Sequence, residues 1–217
     1  MIKRTALLLG ATGLTGEQCL QELLANEVYD TVVTVTRKPL VVNHHKYQNV
    51  VVDFEQLHDF KLHLKADDVY CTIGTTIAKA GSQKEFRRID FDIPKQIAEY
   101  ALWNGAQRFI LCSALGANAQ SSIFYNQVKG ELEDVLKKMN YKALLIFRPS
   151  ILLGDRKETR TGEQIGRAFA ETFSFLFVGP LKQYKGTPVA VLAKQMVAAG
   201  SGNVTGTVIF ENADIVS

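Results

Sequence analysis

"LLLGATGLTGEQCL", Leu7 to Leu20, follows "MIKRTA" and admits two incompatible readings. With basic residues ahead of an apolar run, it is the start of an export leader. With a strand closed by glycine and opening onto a helix, it is a phosphate-binding turn. The apolar core of a leader would be only "ALLL" before Gly10, much shorter than the roughly 7 to 15 residues such a core needs. "GEQCLQELL" then continues as a charged amphipathic pattern, with Leu20, Leu23 and Leu24 at helical spacing. The turn reading stands, and it organises the rest of the chain.

Behind it, short β-rich runs alternate with helix-period stretches, the signature of βαβ units and a parallel sheet. "TALLLG" is nearly continuous in apolar residues, as expected of a strand buried on both faces. "TVVTVT" (Thr31 to Thr36), "VVV" (Val50 to Val52), "DVYCTIG" ending at Gly74, "RFILCS" ending at Ser113 and "ALLIFRP" ending at Pro149 complete six candidate strands before residue 150. Pro94 suits the first turn of a helix whose stripe is Ile97, Ala98, Ala101 and Leu102, and "NG" at Asn104 and Gly105 stops it. Val128, Leu132, Val135, Leu136 and Met139 mark a helix over about residues 122 to 139, and Val189, Leu192, Ala193, Met196 and Val197 a late one. These patterns predict one α/β domain over residues 1–217, a doubly wound parallel sheet. Residues 150–205 form a small lid or substrate-covering segment within it.

At 217 residues the chain is long enough for one buried core, and its 47% hydrophobic and 22% charged content are near soluble averages. No apolar run approaches the roughly 20 residues that span a bilayer. The net charge of +3 is small and dispersed, which argues against a nucleic-acid partner. Cys19, Cys71 and Cys112 are odd in number, far apart and set in apolar runs, so they read as buried thiols of a reducing, cytoplasmic compartment. No CxxC occurs, and His44, His45, His58 and His63 have no partner at ligand spacing, so no metal site is expected.

Gly10, Gly13 and Gly16 stand in G-x-x-G-x-x-G spacing between a buried strand and an amphipathic helix. Gly10 permits the tight turn, Gly13 the approach of backbone amides to a pyrophosphate, and Gly16 close packing of helix on strand. After the second strand, where an NAD site places a carboxylate, this chain has Arg37 and Lys38. A guanidinium matches a 2′-phosphate bidentately. Asp53, just after the third strand, suits an adenine amino group or simply a loop. Tyr125 and Lys129 are i and i+4 on one helix face, so the ammonium lies one turn from the phenol. With an oxidised nicotinamide, it would favour the phenolate and make Tyr125 a usable acid or base. Ser113, at the C-terminal end of the fifth strand, suits polarisation of a carbonyl. Arg148, Arg156 and Arg160 are candidates for gripping an anionic substrate, with surface pairing to Glu158 and Glu163 as the alternative for the last two. Phe173, Phe175 and Phe177 suit core or a subunit contact, as in a homodimer or with a protein partner.

"GATGLTG", "TRKP", "VVDFEQL", "TIGTT", "CSALGA" and "YNQVKGELE" together resemble an atypical short-chain dehydrogenase/reductase with an extended-type glycine motif. Within that family the likeness is greatest to the Tat-interacting-protein-like oxidoreductases, which share the "FRPSILLGDRKETRTGE" type of segment at Phe147 to Glu163. The resemblance implies a Rossmann fold with NADP(H) in the crevice. It also implies Tyr125 as proton donor to a small carbonyl substrate, Lys129 on the nicotinamide ribose and Ser113 as carbonyl partner. Gly10, Thr12, Gly13, Leu14, Thr15 and Gly16 would line the pyrophosphate, Arg37 and Lys38 the 2′-phosphate, and Asp53, Phe54, Gly74 and Thr75 the remainder of the cofactor. The C-terminal region is short for an extended reductase, so a dinucleotide-sensing regulatory or scaffold role stays open beside the reductase.

Overall fold

The computed structural model describes residues 3–154 and 186–217. β1 (Arg4–Leu9) lies in the interior of a seven-stranded parallel sheet. β2 (Tyr29–Thr36) and β3 (Tyr47–Val51) lie to one side of it. β4 (Asp68–Cys71), β5 (Arg108–Cys112) and β6 (Ala143–Arg148) lie to the other. The six strands legible in the sequence are all present, and each neighbouring pair runs parallel. A short pair, β7 (Leu152–Leu153) with β8 (Thr187–Pro188), stands apart from the main sheet. The far edge is β9 (Gly206–Glu211), which pairs with β6 from Ala143↔Gly206 to Arg148↔Glu211. Its sequence "GTVIFE" gives little apolar signal because an edge strand is half solvated; Ile209 is exposed while Phe210 stacks on Phe147 at 4.4 Å.

Helices cover both faces. α1 (Leu14–Ala25) and α6 (Val189–Ser201) pack on the face of Ala6, Leu8, Tyr70 and Ile110, burying Cys19, Leu23, Leu192 and Met196. α4 (Ile93–Trp103) and α5 (Phe124–Lys137) cover the face of Leu7, Leu9, Val69, Phe109 and Leu111, burying Ile97, Ala101, Val128 and Leu132. Each such side chain contributes about 1.5–3 kcal/mol on full burial. α2 (Ile77–Ala80) and α7 (Asn212–Ile215) are single-turn elements.

One helix departs from expectation. α4 does not begin at Pro94: α3 (Gln83–Arg87) runs through a π turn at Arg88–Asp92 directly into it. In a regular helix the residue at 94 would donate to the Asp90 carbonyl, and proline cannot. The chain widens instead, and the Ile93 N–H reaches the Arg88 carbonyl five residues back.

The two ends of the sheet carry different chemistry. At the start of β4, fully buried Asp68 accepts from the Tyr29 hydroxyl at 2.8 Å and pairs with Arg4 and Arg108 at 3.1 and 3.3 Å. That cluster staples the ends of four neighbouring strands. At the other end, strand order reverses between β1 and β4, which opens a crevice where open α/β sheets bind ligands.

Candidate dinucleotide site

The crevice starts at the glycine turn. Gly10 has φ +83°, and a Cβ there would lie 2.7 Å from Ile73 N, because the loop after β4 packs directly on the turn. A Cβ on Gly16 would fall 1.9 Å from the Gly10 carbonyl oxygen, so only glycine lets α1 close on β1. Gly13 is different: it is exposed, and its absent Cβ would meet only the Gly10 oxygen at 3.3 Å. Thr12 is exposed beside it, Leu14 is half-buried, and Thr15 and Gly16 are buried. α1 begins with no side-chain cap, leaving its first amides and positive dipole end for an anion. The turn therefore fits a pyrophosphate.

Beyond the ends of β2 and β3 lies a pocket of about 550 Å³ bordered by Arg37, Asp53, Phe54 and Arg88 among others. That volume is in the range of small-molecule sites. Arg37 and Lys38 are both exposed, and Arg37 makes no ion pair with another described residue. Asp53 Oδ1 accepts the Glu55 N–H at 2.9 Å, fixing the loop that carries Phe54.

On the other side of the crevice, the π turn delivers a residue that sequence reasoning missed. Asp90 is fully buried, and its Oδ1 lies 2.7 Å from Lys129 Nζ while Oδ2 accepts the Thr75 N–H at 2.9 Å. A Cβ on Gly74 would crowd Asp90 Oδ1 at 3.3 Å and come into ordinary contact with Lys129 Nζ at 3.5 Å. Burial raises the Asp90 carboxyl pKa against the lowering effect of Lys129. Burial opposes the Lys129 charge, but Asp90 and Tyr125 outweigh it and leave the ammonium favoured. The pair is an ammonium and a carboxylate, each largely withdrawn from water. The only sequence trace of Asp90 was a proline four residues later in a helical pattern.

Lys129 Nζ sits 5.9 Å from the centre of the Tyr125 ring, as the i, i+4 spacing required. Without a nicotinamide beside it, the phenol is held in its protonated form. Tyr125 as a residue is partly exposed, yet its phenol is desolvated, and burial pushes its pKa up to about 12. Lys129 pulls that value down and Asp90 raises it again. At neutral pH the group is therefore a phenol. Phe86 packs against the ring at 5.5 Å.

Ser113 and Arg148 are engaged within the protein, away from the roles expected of them. The Ser113 hydroxyl donates to Glu133 Oε1 at 2.6 Å, so its proton is committed to a carboxylate. Glu133 is buried, and its charge is met by Arg148 Nη2 at 2.6 Å. Arg148 also reaches Glu211 at 2.8 Å, tying α5 and β6 to the edge strand. A buried glutamate needs a fixed cation, and this requirement places Arg148. Arg156, Arg160 and the three phenylalanines at 173, 175 and 177 lie outside the described residues. Cys71 and Cys112 are pushed up by burial to about 12 and 11, the values of unreactive thiols. Among the described residues no cluster fit for a metal ion occurs, and no helix is long and apolar enough to cross a membrane.

Residues 10–168 match a family model described as NAD(P)H-binding. The chain is 35% identical over 208 residues to the protein HTATIP2 of Rattus norvegicus, covering 94% of this chain and 86% of the relative. It is also 35% identical over 198 residues to FMP52-1, mitochondrial, of Scheffersomyces stipitis, covering 90% and 83%. Among solved structures, MoeE5 in complex with UDP-glucuronic acid and NAD superposes with TM-score 0.72 at 17% identity, over 94% of this chain and 75% of that one. The Bordetella bronchiseptica enzyme WbmH in complex with NAD+ gives 0.72 at 16% identity, over 97% and 76%. The cytoplasmic assignment is corrected by these relatives, since several FMP52 proteins of yeasts at 33–35% identity are named as mitochondrial. Unpaired thiols and a small net charge do not by themselves separate the two compartments. The family match over most of the chain and these relatives make the chain a member of the NAD(P)H-binding family, related to HTATIP2 and FMP52, and the sheet order and glycine turn give it a Rossmann fold.

Proposed function

We propose that the protein is an NADPH-dependent reductase of a small carbonyl compound, with Tyr125 as proton donor. The observation that carries this reading is a phenol held protonated beside an ammonium that a buried carboxylate fixes, at the same sheet end as an uncapped glycine turn. The amides at Thr12, Gly13 and the first turn of α1 hold the pyrophosphate, Arg37 with Lys38 takes the 2′-phosphate, and Asp53 and Phe54 border the adenine. Gly74 and Thr75 line the nicotinamide side. A reduced nicotinamide, when bound there, would supply the hydride for the carbonyl carbon. Tyr125 Oη hydrogen-bonds the carbonyl oxygen and gives up its proton as negative charge develops there. Lys129, its charge secured by Asp90, orients ribose hydroxyls and stabilises the phenolate left behind. Ser113 stays bonded to Glu133 and shapes the wall instead of donating to substrate.

The same features favour turnover over sensing alone: a binding module has no need of a cation buried next to a tyrosine. The test is NADPH oxidation across a panel of aldehydes and ketones, in the wild type and Tyr125→Phe. The substitution should abolish the chemical step, a loss of at least about 10²-fold, while NADPH binding persists. Full turnover by Tyr125→Phe with any substrate of the wild type would refute the mechanism.

A further inference from the structure

The pocket past β2 and β3 contains a second guanidinium that the cofactor reading leaves unused. Arg88, the first residue of the π turn, borders the same space as Arg37. Its Nε and Nη2 donate to the two carboxylate oxygens of Glu85 at 2.8 and 2.6 Å, which locks the plane of the group. Its remaining terminal nitrogen, Nη1, is buried and makes no hydrogen bond; Glu55 Oε1 lies 2.7 Å away as an ion pair only. Glu55 also borders the pocket, on the loop after β3, so this ion pair runs from that loop to the helix. Glu85 is one turn from Arg88 on the same helix and structural in character. Glu55 is a different matter: its side chain is 67% exposed, and it comes from another element.

We propose that Glu55 and Arg88 form a charge latch that sets how strongly the adenosine end of the site prefers a 2′-phosphate. The proposal rests on the dinucleotide reading above. While Glu55 holds Nη1, the second guanidinium is compensated and Arg37 is the cation open to the phosphate. A 2′-phosphate in the pocket competes with the Glu55 carboxylate for Nη1, and the carboxylate repels it. A ribose bearing only hydroxyls meets neither effect. Glu55 therefore holds down the preference for the phosphorylated form. The exposed position of Glu55 makes its pairing with Arg88 weak enough in water for such an exchange.

Adenosine 2′,5′-bisphosphate and AMP isolate this end of the cofactor, and their affinities for the full chain can be measured by calorimetry. The comparison uses the wild type, Glu55→Gln and the double variant Glu55→Gln/Arg88→Gln. Glu55→Gln should raise the preference for the bisphosphate over AMP by about tenfold, the worth of one charge-assisted bond gained. The double variant should return the preference to the wild-type value or below. An unchanged preference in Glu55→Gln, with both nucleotides bound, overturns the latch. So does a gain that persists in the double variant, which would make the effect one of Glu55 charge alone. If the folded wild type binds neither nucleotide nor NADPH, the dinucleotide reading itself falls.

Discussion

Gly13 and Gly16 offer a separation of folding from binding within one turn. At Gly16 an added methyl would fall 1.9 Å from a backbone oxygen and 2.6 Å from the carbon that carries it, so α1 must move off β1. Overpacking of this kind costs about 1–3 kcal/mol or more, which in a chain of this size lowers Tm by several degrees with no ligand present. At Gly13 the backbone is extended (φ −88°, ψ 166°) and the methyl would meet one oxygen at 3.3 Å. Alanine is tolerated there at about 1 kcal/mol or less, the scale of a poorer helix cap. On the proposed reading, its methyl would crowd a pyrophosphate held by the amides of this turn. NADPH at about 100 times its Kd stabilises the wild type by about 2.7 kcal/mol, or about 5–11 °C in Tm. A hundredfold loss of affinity in Gly13→Ala reduces that gain to about 0.4 kcal/mol, close to 1 °C at the same concentration. Thermal denaturation of the two variants with and without NADPH measures all four quantities. If Gly13→Ala gave the full wild-type shift, the turn would not be the phosphate site. If Gly16→Ala melted like the wild type, the close-packing argument would be wrong.

Arg37→Ala should weaken NADPH by about 10–100-fold while leaving NADH nearly unchanged, because only the 2′-phosphate loses its charge-assisted bonds; equal losses would remove Arg37 from that role. Tyr125, with its pKa pushed up to about 12, donates only while protonated, so loss of reductase activity from its ionisation appears only as pH approaches that value. A profile that falls below pH 9 with a slope traceable to Tyr125 would contradict its burial. Asp90→Asn strands a buried ammonium and should cost about 3–5 kcal/mol in urea unfolding at pH 7. Because the Lys129 pKa is raised in the folded state, the wild-type advantage is fully present below the unfolded value of about 10.4 and shrinks as pH rises through the folded value. An advantage that grew with pH would reverse the assignment of charges.

The central strands were legible because parallel strands covered on both faces are written as unbroken apolar runs, and "TALLLG", "RFILC" and "ALLIF" are such runs. β9 was not, since an edge strand with solvent on one side needs no such run. The glycine turn was legible for a different reason: Gly10 and Gly16 answer backbone contacts that no other residue permits, and their spacing reports those contacts directly. The i, i+4 relation of Tyr125 and Lys129 was likewise geometric and held. The partners of Ser113 and Arg148 were not legible, because position along a strand fixes where a side chain starts, while the partner it finds is set by burial elsewhere. Glu133 buries a charge on α5, and the hydroxyl and guanidinium within reach are drawn to it.

Asp90 shows how a backbone irregularity becomes chemistry. A regular helix at Arg88–Asp92 would rotate these residues about 100° apart per step, and the extra residue of the π turn shifts that register for everything before it. The shift lets Arg88 border the pocket beyond β3 and sets Asp90 under Lys129 near the loop after β4. The turn is in turn demanded by Pro94, whose missing donor leaves the Asp90 carbonyl without its regular partner. Pro94 does not border the pocket beyond β3. Replacing it would act on the site through helix register, so a Pro94→Ala variant that relaxed to a regular helix would disturb both the Lys129 ion pair and the Arg88 latch. A single deletion of ring and φ restraint would then reach both ends of the proposed dinucleotide site through the helix register alone.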